Sequence, residues 1–268
     1  MLQQIYARGK NRRFNKQNDL WYLLSSDATT AFLQGDADER PEKLYMLPPQ
    51  DEIMEKAGVF LAELYEIIGN VYGKANAPRL WACYVIKKLK SAGYKQHSMD
   101  RMFFYYVGTD GKLLSFCLVY VDDFLCTYSE AFDIQILLGL FSWGSISHGD
   151  KEMRFKGKEI NTLLDNELDE HYVLLTQRDF TRGLQPGKVS RARKQQGNAF
   201  IGDEQSEYRS CNGSMQWLAG QTRPDAAAST SLLNKGNDTG VEELDGMYDA
   251  MLYAQQTESD DYHSALGC

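Results

Sequence analysis

The sequence has little of what marks a secreted, zinc-binding or membrane-spanning protein. Its 268 residues include only 5 cysteines, 4 histidines and 6 prolines. An odd number of widely spaced cysteines gives no disulfide framework, so reduced thiols in an intracellular compartment are expected. No cysteine or histidine pair has the spacing of a structural zinc site. No apolar run approaches the roughly 20 residues that a bilayer span needs, so no membrane partner is expected.

Charge of one sign is missing at each end of the chain. The first eighteen residues carry basic side chains and no acidic one. After Lys235 there is no Lys or Arg, and eight of the 37 acidic residues lie there, which leaves 29 acids against 29 Lys and Arg. We therefore expect a basic N-terminal segment (1–18) and an acidic C-terminal tail (238–268), with the residues before the tail neutral in sum. The basic segment is interpreted as a solvated helix or a phosphate-contacting arm, with a targeting peptide as the alternative.

Two adjacent carboxylates, Asp122 and Asp123, interrupt a long apolar stretch that covers residues 113–121 before them and 124–126 after them. Such runs predict strands. Burying two unpaired carboxylates in a strand is costly, and adjacent carboxylates also repel each other. The pattern therefore favours a hairpin with the Asp pair at its tip, where a divalent cation can neutralise it. An ordinary Asp-Asp turn between two strands is the alternative.

Strands and helices are interspersed along the chain and hairpins dominate, which predicts an α+β fold. The clearest helix begins at Pro78, and Gly93 stands where its C-terminal cap belongs. The other predicted elements include a helix over residues 132–141, a strand over 154–160, and two helices, 210–218 and 224–233, broken at Gly220. The mostly polar residues 161–170 indicate a boundary before a mostly helical region that extends to residue 237.

Five blocks occur in a fixed order along the chain. They are Asp27-Ala28-Thr29-Thr30-Ala31-Phe32-Leu33-Gln34-Gly35-Asp36, Val71-Tyr72-Gly73 with Ala77-Pro78-Arg79-Leu80-Trp81, Tyr120-Val121-Asp122-Asp123, residues 155–160, and the set within residues 208–225. Together they resemble the reverse transcriptase region of copia-type LTR retrotransposon Pol polyproteins, over about residues 19–235. The resemblance implies a right-hand polymerase, with a palm and partial fingers over residues 19–160 and a thumb/connection-like region over 161–237.

The resemblance also implies the chemistry of two-metal nucleotidyl transfer, the activity of an RNA-directed DNA polymerase. Asp27 and Asp122 would be bridging metal ligands, and Asp123 would be the third catalytic carboxylate. The backbone carbonyl of Ala28 would complete one metal shell. The expected cofactor is Mg²⁺, with Mn²⁺ as the alternative. The structural alternative for Asp27 is a helix N-cap or a turn residue.

Several substrate contacts follow from the same resemblance. Phe32 would exclude a ribose 2′-hydroxyl by bulk, although a core phenylalanine is the alternative interpretation. The other residues implied in substrate binding are Lys74, Asn76, Arg79 and Tyr120, and those implied in gripping the primer are Phe155 and Gly157. The implied partners are an RNA or DNA template-primer, deoxynucleoside triphosphates and, in a polyprotein, protease, integrase and RNase H regions. The implied location is the cytoplasm, including virus-like particles, or the nucleus.

The chain departs from the family pattern at three places. Lys74-Ala75-Asn76 stands where the family usually has Leu-Lys-Gln, and no lysine is evident after the catalytic hairpin. His148 is a candidate replacement there, although an ordinary surface histidine is the favoured interpretation. Only 26 residues precede Asp27, so largely truncated fingers are expected. These departures favour, as an alternative, a truncated and catalytically inactive retroelement remnant with residual metal or nucleic-acid binding. A metal-dependent phosphodiesterase and an interaction module that uses the acidic tail are further alternatives.

Overall fold

The computed structural model describes residues 20–37, 42–59, 62–149, 152–166 and 170–257. The expected basic segment lies outside these residues, as do residues 258–268 of the expected acidic tail. The described residues form two compact units. The first extends to Met153 and includes the short stretch 170–171, and the second comprises the remainder from Arg154 onward.

A six-stranded antiparallel sheet forms the centre of the first unit. The strands of this unit are β1 (Trp21–Ala28), β2 (Tyr45–Met46), β3 (Tyr65–Glu66), β4 (Lys95–Gln96), β5 (Phe103–Val107), β6 (Leu113–Tyr120), β7 (Asp123–Ser129) and β8 (Trp143–His148). The large sheet has the order β4-β5-β6-β7-β1-β8, while β2 and β3 pair separately. Strands β7 and β1 are therefore interior strands, and because they run antiparallel the end of β1 lies beside the start of β7.

Burial along the strands follows from their positions in the sheet. Strand β6 alternates, with Ser115, Cys117 and Val119 buried between more exposed neighbours, as expected for a half-covered strand. Strand β7 is buried at every position after Asp123, which is typical of a strand covered on both faces. The predicted apolar run thus forms the hairpin of two adjacent central strands, as its composition indicated.

The helices of the first unit are α1 (Glu52–Lys56), α2 (Ala77–Ser91) and α3 (Gln135–Leu138). Helix α2 buries Trp81, Val85 and Leu89, which recur at intervals of four residues and so lie on one face of the helix. This face packs into the aromatic core beneath the sheet. Gly93, with φ of +95°, follows the end of the helix in the left-handed conformation that glycine adopts readily.

The helix predicted over residues 132–141 is wrong in its extent, since only Gln135–Leu138 is helical. The Asp133 carboxylate accepts a hydrogen bond from the Gln135 amide at 3.0 Å, which starts the turn. Phe141 then packs against Trp81 and Phe124, with ring centroids 5.7 and 5.1 Å away. The helix therefore ends before Phe141, because the Phe141 ring packs into the core.

The second unit contains a three-stranded sheet and a helical cluster. Its elements are β9 (Met153–Phe155), β10 (Lys158–Asp165), β11 (Glu170–Thr176), α4 (Arg178–Gly183), α5 (Arg191–Lys194), α6 (Glu204–Gln221), α7 (Ala227–Leu232) and α8 (Val241–Gln256), with the sheet order β11-β10-β9. The single strand predicted over residues 154–160 is wrong. Lys156 and Gly157, with φ of +51° and +68°, form a two-residue turn that separates β9 from β10.

The helical cluster corrects two further expectations. Helix α6 continues through Gly220, and the break between helices comes at Thr222 and Arg223. Part of the expected acidic tail is the packed helix α8, whose apolar face, including Leu244 and Met247, is buried against α6 and its neighbours. The net charge of this segment did not reveal the helix, because its other acidic residues are exposed or half-buried and the buried Glu243 forms an ion pair with Lys235. Within the described residues, no helix has the length and apolarity needed to cross a membrane. Sheets and helices together make the chain α+β, as predicted.

Candidate metal centre

The Asp pair lies at a tight turn between β6 and β7. Tyr120 and Asp123 are opposite each other in the ladder, so Val121 and Asp122 alone form the loop. Val121 has φ of +57°, a conformation that a β-branched residue rarely adopts and that costs on the order of 1–3 kcal/mol. The Trp81 indole donates a hydrogen bond from Nε1 to the Val121 carbonyl at 2.6 Å. Helix α2 thereby holds a strained turn in place.

Strand β1 places a third carboxylate beside the pair. Asp27 is the ladder partner of Asp123, and the next residue, Ala28, donates its amide to the Asp122 carbonyl at 2.8 Å. Directly opposite residues on antiparallel strands have Cβ atoms about 5 Å apart. The register therefore fixes Asp27 against the hairpin tip, although Asp27 and Asp122 are 95 positions apart in the sequence.

The three carboxylates converge. One oxygen of each of Asp27, Asp122 and Asp123 lies within 4.8 Å of the others, and all three residues are half-buried. Burial raises the pKa of Asp27 above its ordinary value, and the negative charge of Asp122 raises it further. Three hard oxygen ligands at this spacing fit a divalent cation such as Mg²⁺ or Mn²⁺, which would also relieve the repulsion between them.

Strand β8 covers the other side of Asp27 through a bulge. Asp27 pairs with Ser145 and Ala28 pairs with Trp143, so Gly144 is the extra residue between them. A Cβ atom at Gly144 would lie 3.0 Å from Oδ2 of Asp27. The absence of a side chain at this position therefore leaves room for the Asp27 carboxylate.

A glutamine side chain also connects the segment that follows β1 to the residue that precedes β8, and sequence reasoning missed this contact. The Gln34 side chain donates to the Ser142 carbonyl at 2.8 Å and accepts from the Ser142 amide at 2.8 Å. Its amide nitrogen also donates to the Thr29 carbonyl. Gln34 lies within the first sequence block, which could have marked it as a candidate site residue. Its partner Ser142 is 108 positions away in the sequence, so neighbouring residues do not indicate the contact.

Phe32 lies on a short 3₁₀ helix, Ala31–Gln34, that follows β1. Its ring is packed against the core and against Tyr72, with centroids 4.8 Å apart. Tyr72 itself is 57% exposed. Phe32 and Tyr72 therefore bring the first and second sequence blocks into contact. The Phe32 ring faces the core, whereas the Tyr72 ring is exposed to solvent.

The remaining predicted residues of the first unit occupy positions around α2 and the hairpin. Lys74 is half-buried in the loop before α2, Asn76 caps the helix as an exposed residue, and Arg79 is exposed in the first turn. Asn70, which sequence reasoning missed, is buried and donates to the Ala77 carbonyl at 2.9 Å, which closes this loop. Tyr120 is 47% exposed at the end of β6.

The two expected primer-grip residues lie in the second unit. Phe155 is buried at the end of β9, so its ring is part of the hydrophobic core. Gly157 is exposed in the turn that follows, with φ of +68°. Between them stands Lys156, which lies within the fourth block but was not among the expected site residues.

The sequence is similar to reverse transcriptases of transposons. Residues 15–139 match the family described as reverse transcriptase (RNA-dependent DNA polymerase). The chain is 26% identical over 222 residues to the retrovirus-related Pol polyprotein from transposon RE1 of Arabidopsis thaliana, a match that covers 80% of this chain and 14% of that protein. It is 32% identical over 99 residues to a protein of Saccharomyces cerevisiae named for transposon Ty5-1, covering 37% of this chain and 30% of the relative. The chain thus spans less than a third of either relative.

Proposed function

Because residues 15–139 match the family described as reverse transcriptase and the similar proteins are named for transposons, we propose that this chain catalyses RNA-directed DNA synthesis as a copia-type polymerase. The observation that carries the proposal is the convergence of Asp27, Asp122 and Asp123, whose ligand oxygens lie within 4.8 Å of one another. The substrates would be an RNA or DNA template-primer and deoxynucleoside triphosphates. In a Pol polyprotein, the neighbouring regions would be its partners.

Asp27 and Asp122 would be ligands of Mg²⁺, with Mn²⁺ as the alternative, and Asp123 would be the third catalytic carboxylate. When bound, such cations lower the pKa of the primer 3′-hydroxyl and neutralise the triphosphate. The chain contributes by holding the three carboxylates at a fixed spacing, because preorganised charges lower the activation barrier of the reaction. The ladder between β1 and β7, the Trp81 hydrogen bond and the Gly144 bulge all support that rigidity.

Around this centre, Phe32 is the proposed steric gate against a 2′-hydroxyl, and Tyr120 would flank the primer terminus. Their positions support these roles, because Phe32 is backed by Tyr72 and Tyr120 is half-exposed beside Asp123. Arg79, with Lys74 and Asn76, would contact phosphates of the nucleotide or template. The exposure of Arg79 at the start of α2 leaves its guanidinium available for this contact.

The first unit is proposed as the palm with part of the fingers, and the second as the thumb/connection-like region. The division near Met153 supports a boundary close to residue 160. The primer grip is proposed at the β9–β10 turn, where Gly157 would contact the primer through its backbone. The burial of Phe155 favours a supporting role for that ring.

A primer-extension assay tests the proposal. The purified chain is incubated with a labelled primer on an RNA template, deoxynucleoside triphosphates and Mg²⁺ or Mn²⁺. Asp122→Asn is expected to abolish extension, a loss of at least about 10³-fold, because one anionic ligand is removed. Asp110→Asn is the matched control, since Asp110 is an exposed aspartate in the neighbouring hairpin turn between β5 and β6.

Four outcomes are distinct. Extension by the wild type and by Asp110→Asn, but not by Asp122→Asn, supports the polymerase. Normal extension by Asp122→Asn contradicts it. Metal binding without extension by the wild-type chain contradicts the polymerase and favours an inactive remnant, whereas nucleic-acid cleavage without nucleotides favours a phosphodiesterase.

A further inference from the structure

Two cysteines face each other across the hairpin that carries the Asp pair. Cys117 of β6 and Cys126 of β7 are ladder partners, three positions along the ladder from the pair of Tyr120 and Asp123. Directly opposite residues of antiparallel strands project to the same face of the sheet. Here that face is the core of the first unit, where both thiols are fully buried and free. The hairpin therefore holds two thiols together close to the proposed metal centre.

The two cysteines occupy a non-hydrogen-bonded position of the ladder. In a hairpin with a two-residue loop, the pair of Tyr120 and Asp123 closes the ladder, and hydrogen-bonded pairs then alternate with non-hydrogen-bonded ones. The Val119 amide accordingly donates to the Met102 carbonyl at 2.9 Å, away from β7. Cys117 lies two residues before Val119 and so has the same orientation. At such positions the two Cα atoms are about 4.5 Å apart and the side chains are at their closest.

A disulfide fits this geometry. The Cα atoms of disulfide-bonded cysteines are usually about 4.4–6.8 Å apart, a range that includes the spacing of a non-hydrogen-bonded pair. The thiols of Cys117 and Cys126 are already hydrogen-bonded to each other. The two sulfur atoms can therefore form a bond by rotation of the side chains, without a change in the register of β6 and β7.

Burial determines which oxidants can react with the pair. Burial raises the pKa of the Cys126 thiol, and the contact with Cys117 raises it further. The thiolate is the reactive form of cysteine, so both thiols react slowly. Hydrogen peroxide is little larger than water and can enter when the strands open locally. Once one sulfur is oxidised, the other thiol is already in contact with it, so the second step is intramolecular and fast.

We propose that Cys117 and Cys126 are an oxidative modification site, at which a peroxide forms a disulfide across the β6–β7 hairpin. One thiolate attacks a peroxide oxygen, displaces hydroxide and becomes a sulfenic acid. The second thiol attacks that sulfur and expels its hydroxyl group, so one S–S bond forms. The two sulfurs lose two electrons to the peroxide, and the two thiol protons end in two water molecules. This bond is called the hairpin disulfide.

The hairpin disulfide would close a ring of ten residues, 117–126, around the turn. This ring includes the strained Val121 and the proposed metal ligand Asp122. A covalent ring restricts the open forms of the hairpin. For a ring of this size, separation of β6 from β7 is expected to become rarer by up to roughly 100-fold. The inference goes beyond the proposed function and does not depend on polymerase activity.

Oxidation is mapped by mass spectrometry. The folded full chain is treated with hydrogen peroxide, the peroxide is removed with catalase, and free thiols are alkylated with iodoacetamide in denaturant. Trypsin digestion without reductant leaves both cysteines on one peptide, 113–151, because Lys112 and Lys151 bound it. The hairpin disulfide is expected to leave this peptide unalkylated and about 2 Da lighter than its reduced form, since two hydrogen atoms are lost. Dithiothreitol is expected to restore both alkylations.

Single variants separate the pair from the reactivity of each cysteine alone. Cys126→Ala removes the resolving thiol, so Cys117 is expected to accumulate as a sulfinic acid. Cys211→Ala is the matched control, because Cys211 is also buried but lies in the second unit, and its hairpin disulfide should form as in the wild type. Hydrogen exchange of the β6 and β7 amides should slow by tenfold to roughly 100-fold in the oxidised wild type and not in Cys126→Ala. Circular dichroism melts establish that every variant is folded.

The hairpin disulfide is overturned if both cysteines of the wild type stay open to alkylation while the exposed Cys83 is oxidised, or if each becomes a sulfinic acid separately. It is also overturned if the bond forms only after denaturation, or if the oxidised chain exchanges faster than the reduced one. Asp122→Asn is expected to be oxidised like the wild type, which separates the two proposals. A chain that forms the disulfide but extends no primer keeps this inference and contradicts the polymerase.

Discussion

The geometry of the metal centre can be perturbed through Gly144 without removing a carboxylate. In Gly144→Ala the new Cβ atom would lie 3.0 Å from Asp27 Oδ2 and 3.5 Å from the Thr29 Cβ. The second contact is ordinary, but the first is tighter than van der Waals packing allows, so the carboxylate has to move by a few tenths of an ångström. The substitution therefore displaces one proposed metal ligand and leaves its charge unchanged.

The size of the effect follows from this displacement. Misplacement of a catalytic group by about 1 Å costs on the order of 100-fold in rate, so a shift of a few tenths predicts a loss of roughly threefold to tenfold. The same loss is expected in the affinity for Mn²⁺, since the ligand distances are perturbed. Stability should change by less than about 1 kcal/mol, because the Gly144 backbone is outside the left-handed region and alanine restricts the unfolded chain.

Mn²⁺ affinity is measured by electron paramagnetic resonance of the free ion, and turnover by primer extension at saturating nucleotide. Gly183→Ala is the matched control, because a Cβ atom at Gly183 would meet nothing within 4 Å. Gly144→Ala with wild-type Mn²⁺ affinity and turnover would refute the assignment of Asp27 as a metal ligand. An equal loss in Gly183→Ala would show that the effect is unrelated to the carboxylate.

Two further predictions concern stability and nucleotide selection. Asp225 and Arg223 form a bidentate pair at 2.9 and 2.7 Å, with side chains 11% and 10% exposed, so Asp225→Asn should lower the free energy of unfolding of the second unit by about 3 kcal/mol at pH 7. The hydrogen bonds from Arg223 lower the pKa of Asp225 below its ordinary value of 3.8, so the contribution is complete above that pH and is lost as the pH falls through the folded-state pKa. Phe32→Ala should raise the incorporation of ribonucleotides relative to deoxyribonucleotides by on the order of tenfold, because a pocket that no longer excludes the 2′-hydroxyl discriminates weakly.

Each of these has a direct measurement. Urea unfolding of Asp225→Asn at pH 7 and below pH 4 should show a difference from wild type that shrinks in acid, and a difference independent of pH would contradict the role of the pair. For Phe32→Ala, the ratio of kcat/KM for the two nucleotide types is compared with that of Tyr72→Phe, which keeps the aromatic contact. An unchanged ratio would place Phe32 in the core alone.

The sequence predicts the elements whose signals are local. Helix α2 carries its own start and stop, since Pro78 is suited to the first turn and Gly93 adopts a positive φ beyond the end. The strands β6 and β7 follow from long apolar runs, but their loop lies one residue earlier than predicted, since Val121 and Asp122 form it and Asp123 already begins β7. Such features depend only on residues that are neighbours in the chain, so they can be predicted from a single sequence.

Long-range packing explains the secondary-structure predictions that were wrong. The helix expected to reach Phe141 ends early because Trp81 and Phe124, distant in sequence, draw that ring into the core. The turn at Lys156 was missed because lysine is not a residue that turn patterns single out. In both cases tertiary structure overrides local propensity.

The candidate metal centre shows the same limit. Asp27, Asp122 and Asp123 could be named because they lie at the end of β1 or at the turn between β6 and β7, within blocks that resemble the family. Gly144 and Gln34 could not, because their roles depend on the register of β8 against β1. One residue of slip would move Gly144 away from Asp27, and no local pattern fixes that register.

The most direct measurement is a crystal of the chain grown with Mn²⁺ and analysed by anomalous scattering. The proposed metal centre predicts anomalous density within roughly 2.1 Å of oxygens from Asp27, Asp122 and Asp123, a distance typical of small divalent cations. Ordered Mn²⁺ found only elsewhere, with the Asp27 carboxylate turned away from the hairpin tip, would contradict it.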